Sequence, residues 1–362
     1  MLDNLSAFSF STLVLLGGCG TSGQSTTSDA GTSDDISSQN TSDGSSSSDG
    51  NFDALSDCAT VDTTAPAPTE VSCPSGSDPG EVKYYVSGSL PPTIRDGSMA
   101  RYCFTSPSMN RPVAFVAYTP PDYESSNQDY PVIYFLHGIS GQEWNYLGWF
   151  SDNSSNELLT KENLYSLIEG TASVSALADK AIVVFANGGR KDATASAEAL
   201  FYSDQGDYKS ETMIMTELIP FVDSKFRTVA SRAGRAIEGF SMGGHGSLRL
   251  AMTYPACFAS AVSYAAGLGA NAAPDDIAEF RPTVDQVQAI KDFGLGIRVV
   301  YGTADNPWYG NWLAPGGLKE FLTNNGISFQ EQTIDGLSHQ LDGYYDAQGR
   351  AGLEFHFSHL GN

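Results

Sequence analysis

Ser241 stands in GFSMG (239–243), the only Gly-x-Ser-x-Gly of the chain, between the apolar run AIEGF (236–240) and the helical pattern MGGHGSLRLAMTY (242–254). A strand-to-helix turn of this kind exposes a serine hydroxyl above a sheet. The helix that follows directs its free N–H groups and its positive end at the site. Such a serine is a candidate nucleophile for acyl transfer if a base activates it. A tight turn without chemistry is the alternative.

His339 is the best candidate for that base among the five histidines. It lies in the Gly-bounded loop DGLSHQLDGYYD (335–346), after the last predicted strand. The other four fit the role less well. His356 and His359, in the terminal EFHFSHL, are expected to be partly exposed structural residues. His137 directly follows a predicted strand, and His245 should point away from Ser241.

A base of this type needs a carboxylate that fixes its tautomer and stabilises the imidazolium. Asp305 follows the predicted strand IRVVYG at its carboxyl end and is the candidate acid. Asp342, three residues after His339, is a rival that an exposed surface position would also explain. Asp275 and Asp276 have no predicted strand before them and are weaker candidates.

Acyl transfer also needs hydrogen-bond donors for the oxyanion that forms on the substrate. The N–H of Met242, directly after the candidate nucleophile, is one such donor. The loop LHGISG (136–141) offers a second, for which we predict the N–H of Ile139.

Aromatic residues follow each of these candidate segments, and we predict that they form a substrate-binding surface around Ser241. Such a surface suits an apolar or aromatic acyl group, or stacking on sugar rings. Packing of the loops onto the domain is the alternative. The residues are Trp144, Trp149, Trp308 and Trp312, followed by Tyr344 and Tyr345.

The elements that must position these residues alternate between short apolar strands and helices from about residue 84 onward. Apolar strands in repeated β-α-β order predict an α/β fold with a mostly parallel central sheet and helices on both faces. In such sheets ligands bind beyond the carboxyl ends of the strands, where the candidate residues stand.

The chain carries 42 acidic and 19 basic residues, a net charge of −23, which excludes a nucleic-acid partner that needs clustered Lys and Arg. Twelve of the acidic residues precede Lys83, whereas no Lys or Arg does. We predict a disordered Ser/Thr/Asp-rich tether over 20–80, and a catalytic domain over 81–362.

Residues 1–19 have the size of a signal-peptide core and end in LGGC, which resembles a bacterial lipobox with Cys19 as the lipid-bearing residue. No Lys or Arg precedes the apolar run, which departs from that pattern. A disordered cytosolic tail is the alternative. The layout predicts an exported protein, either secreted or held at the bacterial cell surface or outer membrane as a lipoprotein, and touching the membrane only through a lipid anchor at Cys19.

Four further cysteines would form disulfides in an exported protein, with three pairings possible. They are Cys58, Cys73, Cys103 and Cys257.

Several segments in order resemble the esterase D / feruloyl esterase-like group of α/β-hydrolases. The resemblance covers roughly residues 99–345 and rests on FTSPSMNRPVAFVAYTPPDY, YPVIYFLHGISG, FYSDQGDYKSETMIMTELIPFVDSKFRT, GFSMGGHGSLRLAMTYPACFASAVSYAAG, YGTADN and GLSHQL. It implies the α/β-hydrolase fold, in which nucleophile, acid and base occur in this chain order. It also implies that Ser241, Asp305 and His339 form the catalytic triad. The segment after Asp305, ADNPWYGNWLAPGG, differs from the family's compact loop.

We therefore predict a serine carboxylic-ester hydrolase that needs no metal or cofactor. Its substrates would be extracellular esters, such as feruloyl or acetyl esters of polysaccharides. An acyltransferase on the same fold and a non-catalytic carbohydrate-contacting module are the alternatives.

Overall fold

The computed structural model describes residues 58, 66–73, 98–120, 122–139, 141, 143, 181–188, 201–267, 282–306 and 308–361, with the side chains of Ser98, Met99 and Trp308 excepted. All of these residues belong to one compact unit, 50–362.

A nine-stranded sheet runs through this unit in the order β1-β2-β3-β5-β4-β8-β9-β10-β11. The six strands from β5 to β11 in this order pair in parallel, and β1, β2 and β3 join antiparallel at one end. Two short strands, β6 and β7, pair separately. The bounds are β1 Thr69–Val71, β2 Ser98–Ser106, β3 Arg111–Thr119, β4 Val132–Leu136, β5 Ile182–Ala186, β6 Asp204–Gln205, β7 Tyr208–Lys209, β8 Arg235–Phe240, β9 Ser260–Tyr264, β10 Gly296–Gly302 and β11 Gln330–Ile334.

Helices follow most of the parallel strands. They are α1 Ser210–Thr212, α2 Ile219–Lys225, α3 Met242–Thr253, α4 Val284–Phe293, α5 Trp308–Leu313, α6 Leu318–Asn324 and α7 Leu341–His359. A π-helical segment, Met213–Leu218, joins α1 to α2 just before Pro220. Proline has no N–H for the usual bond to the preceding turn, which accounts for an irregularity at this point. None of the helices that the structure describes is long and apolar enough to cross a membrane.

Successive residues of the central strands face two separate hydrophobic cores. In β4, Tyr134 and Leu136 pack with residues of the π-helical segment, α2, α3 and α4, whereas Ile133 and Phe135 pack with residues of α7. All five residues of β4 are buried. Burial on both faces explains why these strands are continuous apolar runs without polar alternation. The predicted mostly parallel sheet with helices on both faces is present in the structure.

Two disulfides connect the four cysteines, as Cys58–Cys257 and Cys73–Cys103. Residues Thr69–Val71 form the edge strand β1, which pairs with β2. Cys58 and β1 therefore belong to the folded unit, although both precede the domain boundary predicted at residue 80. The predicted signal segment with Cys19 lies outside the described residues.

Candidate active site

Ser241 occupies the turn between β8 and α3 with a backbone that non-glycine residues rarely adopt, at φ 59° and ψ −116°. Its N–H donates to the Tyr264 carbonyl oxygen at 2.8 Å, and its carbonyl oxygen accepts from His245 N–H at 3.0 Å. Strain of this kind persists only where the surroundings hold it, and it is typical of functional sites. The turn lifts the hydroxyl above the carboxyl edge of the sheet.

The glycines on either side of Ser241 are required by close backbone approach. A Cβ at Gly243 would lie 1.8 Å from the carbonyl oxygen of Leu136, at the end of the adjacent strand β4. A Cβ at Gly239 would lie 2.5 Å from backbone atoms of Gly243. The Gly-x-Ser-x-Gly spacing therefore lets α3 begin directly against β4, which brings the loop after β4 close to the serine.

His339 stands in the loop between β11 and α7, and its ring bridges Ser241 and Asp305. Its Nε2 lies 2.8 Å from Ser241 Oγ, and its Nδ1 lies 3.0 Å from both carboxylate oxygens of Asp305. The His339 side chain is 34% exposed, while that of Asp305 is fully buried. The Phe240 ring packs against the imidazole with 4.7 Å between ring centroids. The structure thus brings together the three predicted catalytic residues.

Asp305 is held in a bend directly after β10, where its N–H donates to the Gly302 carbonyl oxygen at 3.1 Å. Tyr344, in the first turn of α7, donates its hydroxyl proton to Asp305 Oδ2 at 2.6 Å. The same hydroxyl oxygen accepts from Gly302 N–H at 2.6 Å. Burial, followed by the hydrogen bond to Asp305, raises the pKa of Tyr344, so its hydroxyl remains a donor. Tyr344 therefore supplies a second hydrogen bond to the carboxylate, beside that of His339.

The hydrogen bonds also determine which nitrogen of His339 carries the proton. An ionised carboxylate only accepts hydrogen bonds, so Nδ1–H donates to Asp305. In the neutral ring Nε2 then holds the lone pair and accepts the proton of Ser241 Oγ–H. This arrangement can remove a proton from the serine hydroxyl, and Asp305 would stabilise the resulting imidazolium.

The loop after β4 lies against the nucleophile. A Cβ at Gly138 would be 3.6 Å from Ser241 Cβ and 3.5 Å from the Phe240 carbonyl oxygen. Ile139, the next residue, is 48% exposed. Met242 is the first residue of α3, where an N–H has no partner within the helix. Both predicted oxyanion donors therefore belong to backbone that adjoins Ser241.

Three of the residues predicted to form an aromatic substrate surface are described by the structure, and all three are buried. Trp312 is 0% exposed, stacks on Tyr301, and donates Nε1–H to Glu331 Oε1 at 2.7 Å. Tyr344 and Tyr345 are also buried. These three residues belong to the core, which corrects their assignment as substrate contacts. Trp144 and Trp149 lie outside the described residues, as does the side chain of Trp308.

The rival residues that the structure describes occupy other environments. Asp342 is exposed at the start of α7. His245 is buried, with Nδ1 3.2 Å from the Gly267 carbonyl oxygen and its ring against Phe201. The prediction that His356 is partly exposed is wrong, because this residue of α7 is fully buried. Asp275 and Asp276 lie outside the described residues.

Glu143, in the same loop as Ile139, is a residue that sequence reasoning missed. Its buried carboxylate accepts from Arg101 Nε at 2.8 Å and from Asn187 Nδ2 at 2.6 Å. Burial raises the pKa of Glu143, and the nearby Arg101 opposes that rise. Its position as the single acid within residues 130–151 was the available signal. The contacts tie the loop to β2 and to the end of β5.

Within the residues that the structure describes, no group of three or more His, Cys, Asp or Glu side chains is arranged to hold a metal ion.

Comparison with solved structures identifies the same fold. A ferulic acid esterase matches with a TM-score of 0.60 and 20% identity, covering 73% of this chain and 99% of that one. An S-formylglutathione hydrolase from Agrobacterium tumefaciens matches with a TM-score of 0.54 and 18% identity, covering 74% of this chain and 96% of that one. The predicted α/β-hydrolase fold is confirmed.

Sequence comparison points to one family. Esterase Rv1288 of Mycobacterium tuberculosis is 30% identical over 197 residues, which cover 52% of this chain and 37% of that protein. The chain thus matches little more than a third of the length of this curated relative. The family described as "Putative esterase" matches residues 106–349, which include Ser241, Asp305 and His339. The chain belongs to this esterase family.

Proposed function

We propose that the protein is a serine carboxylic-ester hydrolase that works through an acyl-enzyme. The observation that carries the proposal is the continuous hydrogen-bond chain from Asp305 through His339 to Ser241 Oγ. It ends at a strained turn directly before a helix N-terminus, where developing negative charge is stabilised.

In the first half-reaction Ser241 Oγ attacks the ester carbonyl carbon while His339 Nε2 takes the hydroxyl proton. The carbonyl oxygen becomes an oxyanion that the N–H groups of Ile139 and Met242 stabilise. As the tetrahedral intermediate collapses, His339 gives the proton to the departing alcohol. The products of this step are the free alcohol and an ester on Ser241.

In the second half-reaction water attacks the acyl-enzyme carbonyl and gives one proton to His339 Nε2. The second intermediate collapses, the carboxylic acid leaves, and the proton returns to Ser241 Oγ. Asp305 holds Nδ1–H throughout and stabilises the imidazolium in both steps. The ester is thus converted by water into an acid and an alcohol, and the enzyme is regenerated.

We further propose that the substrates are extracellular esters, such as feruloyl or acetyl esters of polysaccharides. The two disulfides support an oxidising compartment, and the acidic segment before the domain suits an exported protein with a lipid anchor at Cys19. The shared fold with a ferulic acid esterase makes a feruloyl ester a sensible first substrate.

The test is hydrolysis of p-nitrophenyl acetate and methyl ferulate by the full chain beside Ser241→Ala. We expect turnover by the unchanged protein and none above background by the variant, with the same circular dichroism. The ratio of the two substrates then reports acyl preference. Turnover that needs an added alcohol would identify an acyltransferase instead. No turnover with either acceptor, together with binding to polysaccharide, would identify a carbohydrate-contacting module.

A further inference from the structure

His137 is a buried histidine beside the site that the proposed mechanism does not use. It directly follows β4 and is 3% exposed. Burial lowers the pKa of His137 to about 4, so the ring is neutral near pH 7 and carries one N–H. The hydrogen bonds of its two ring nitrogens then reveal which nitrogen holds that proton.

Both ring nitrogens of His137 contact backbone groups. Gly188 N–H donates to Nε2 at 2.8 Å, and Nδ1 lies 2.8 Å from the Gly138 carbonyl oxygen. A backbone N–H can only donate, so Nε2 must hold the lone pair. The proton is therefore on Nδ1, and Nδ1–H donates to the Gly138 carbonyl.

The Gly138 carbonyl belongs to the same peptide group as the Ile139 N–H. In a planar trans peptide the C=O and N–H point in opposite directions, so holding one fixes the other. The Gly138 oxygen also accepts from Gly141 N–H at 3.0 Å, which closes a tight turn. Because His137 and Gly141 both donate to this oxygen, they fix the direction of the C=O. The Ile139 N–H must then point in the opposite direction.

The His137 ring is itself held from several sides. Tyr202 packs on it with 5.7 Å between ring centroids and donates its hydroxyl to the His137 carbonyl oxygen at 2.9 Å. Gly188, which supplies the donor to Nε2, has its own carbonyl bonded by the Ser210 hydroxyl. A Cβ at Gly188 would lie 3.2 Å from Nε2, so the ring edge lies directly against the Gly188 backbone.

We propose that His137 is a positioning residue that orients the Gly138–Ile139 peptide so that the Ile139 N–H faces the oxyanion formed at Ser241. The inference rests on the proposed ester hydrolysis and goes beyond it, because it assigns a role to a side chain that touches no substrate. His137 acts through the backbone and leaves the proton transfers to His339.

The test uses two polar variants of similar size that differ in which bond they keep. In His137→Asn the amide nitrogen takes the place of Nδ1 and can donate to the Gly138 carbonyl. In His137→Gln the amide oxygen takes the place of Nε2 and can accept from Gly188 N–H, but no donor faces Gly138. His137→Leu removes both bonds.

We expect kcat on p-nitrophenyl acetate to fall about 10- to 100-fold in the Gln and Leu variants, less than the full loss of an oxyanion donor. The Asn variant should recover most of the activity, and KM should stay within about twofold in all three, because the oxyanion contact forms in the transition state.

A thionoester separates this role from a general structural one. Its C=S accepts hydrogen bonds poorly, so the ratio of ester to thionoester kcat reports the oxyanion contact. We expect this ratio to fall in the Gln and Leu variants and to be kept in Asn, with melting temperatures measured beside it.

Equal kcat values and equal ester-to-thionoester ratios in the Asn and Gln variants would overturn the inference, even if the Leu variant failed to fold. If the unchanged protein hydrolyses no ester and Ser241 is not labelled by a fluorophosphonate, the proposed function fails and this inference fails with it. An active unchanged protein with indistinguishable Asn and Gln variants would overturn the inference alone.

Discussion

The described part of the molecule contains two groupings of a serine, a histidine and a carboxylate, and one of them has the surroundings expected of an active site. In the first, His339 joins Ser241 at 2.8 Å to Asp305 at 3.0 Å. In the second, His356 joins Ser260 at 2.8 Å to Glu238 at 3.1 Å. By residue types and distances the two are nearly the same.

Their positions in the fold differ. Ser260 is the first residue of β9 and pairs in register with both neighbouring strands, while Ser241 occupies a strained turn at a helix N-terminus. The second grouping is sealed between the sheet and α7, with Ser260, His356 and Glu238 all buried. The order around the ring is also reversed, since Ser260 contacts Nδ1 and Glu238 contacts Nε2.

Three side chains within hydrogen-bond distance therefore do not by themselves make an active site. Ester hydrolysis also needs room for a carbonyl at the hydroxyl and backbone donors aimed at its oxygen. The proposed mechanism places both beside Ser241, at the carboxyl edge of the sheet. Ser260 is buried at the amino end of β9, where the grouping joins α7 to β8 and β9.

The largest effect should come from removing the two serine hydroxyls in turn. We expect Ser241→Ala to lower kcat by about 10⁴- to 10⁶-fold, because the nucleophile is lost. Ser260→Ala should leave kcat unchanged and lower the free energy of unfolding by about 1–3 kcal/mol, since His356 Nδ1 loses its buried partner. Ester hydrolysis and urea unfolding of both variants provide the measurement. A large loss of kcat in folded Ser260→Ala would contradict the comparison.

The two carboxylates should separate in the same direction. Asp305→Asn removes the acceptor that fixes the His339 tautomer, and we expect kcat to fall by about 10⁴-fold. Glu238→Gln weakens the buried hydrogen bond to His356, and we expect a loss of stability of about 1–3 kcal/mol with kcat per folded molecule unchanged. Active-site titration with a fluorophosphonate would supply the folded fraction. Similar kcat losses in both variants would remove the distinction.

Tyr344→Phe removes a hydrogen bond to Asp305, and it also removes the acceptor of the Gly302 N–H. We expect kcat to fall about tenfold, the equivalent of one hydrogen bond to Asp305. Tyr345→Phe is the matched control, since it removes the neighbouring buried hydroxyl, and should change kcat little. Steady-state kinetics on p-nitrophenyl acetate would distinguish them, and equal effects would argue against a specific role for Tyr344.

The smallest effect concerns pH. Burial lowers the pKa of both His137 and His245 to about 4, below the 6.5 of the unfolded chain. Between these values the unfolded state binds more protons, so stability should decrease as pH falls from about 6.5 towards 4. Each histidine contributes at most about 1.4 kcal/mol per pH unit. In urea unfolding at pH 7 and 5.5, the free energy of unfolding should depend less on pH for His137→Asn than for the unchanged protein. An identical pH dependence would contradict the lowered pKa of His137.

Much of the site could be predicted because its parts follow apolar strands. Parallel strands place their carboxyl ends at one edge, so Ser241, Asp305, His339 and the loop of Ile139 could be brought together from their order alone. Glycine spacing around Ser241 and the scarcity of histidines completed the choice.

Whether a residue faces the core or the site was harder to predict. Trp312 and Tyr344 follow strands just as site residues do, and only the packing of α5 and α7 decides that they face the core. The pairing of Cys58 with Cys257 joins positions 199 residues apart in sequence, for which no local pattern exists. The Glu238–His356 contact likewise depends on how α7 crosses the sheet.

The Cys58–Cys257 disulfide also determines how the domain would respond to mechanical load. Tension applied to the chain ahead of residue 58 passes through the two sulfur atoms to Cys257, just beyond the C-terminus of α3. Residues 59–256 form a covalently closed loop, which tension along the chain cannot extend while the bond is intact. The turn of Ser241 lies inside that loop, at the N-terminus of α3. This helix of 12 residues is about 18 Å long and separates the turn from the segment that contains Cys257. A pull from the N-terminal side would therefore reach the domain without stretching the backbone that holds the nucleophile.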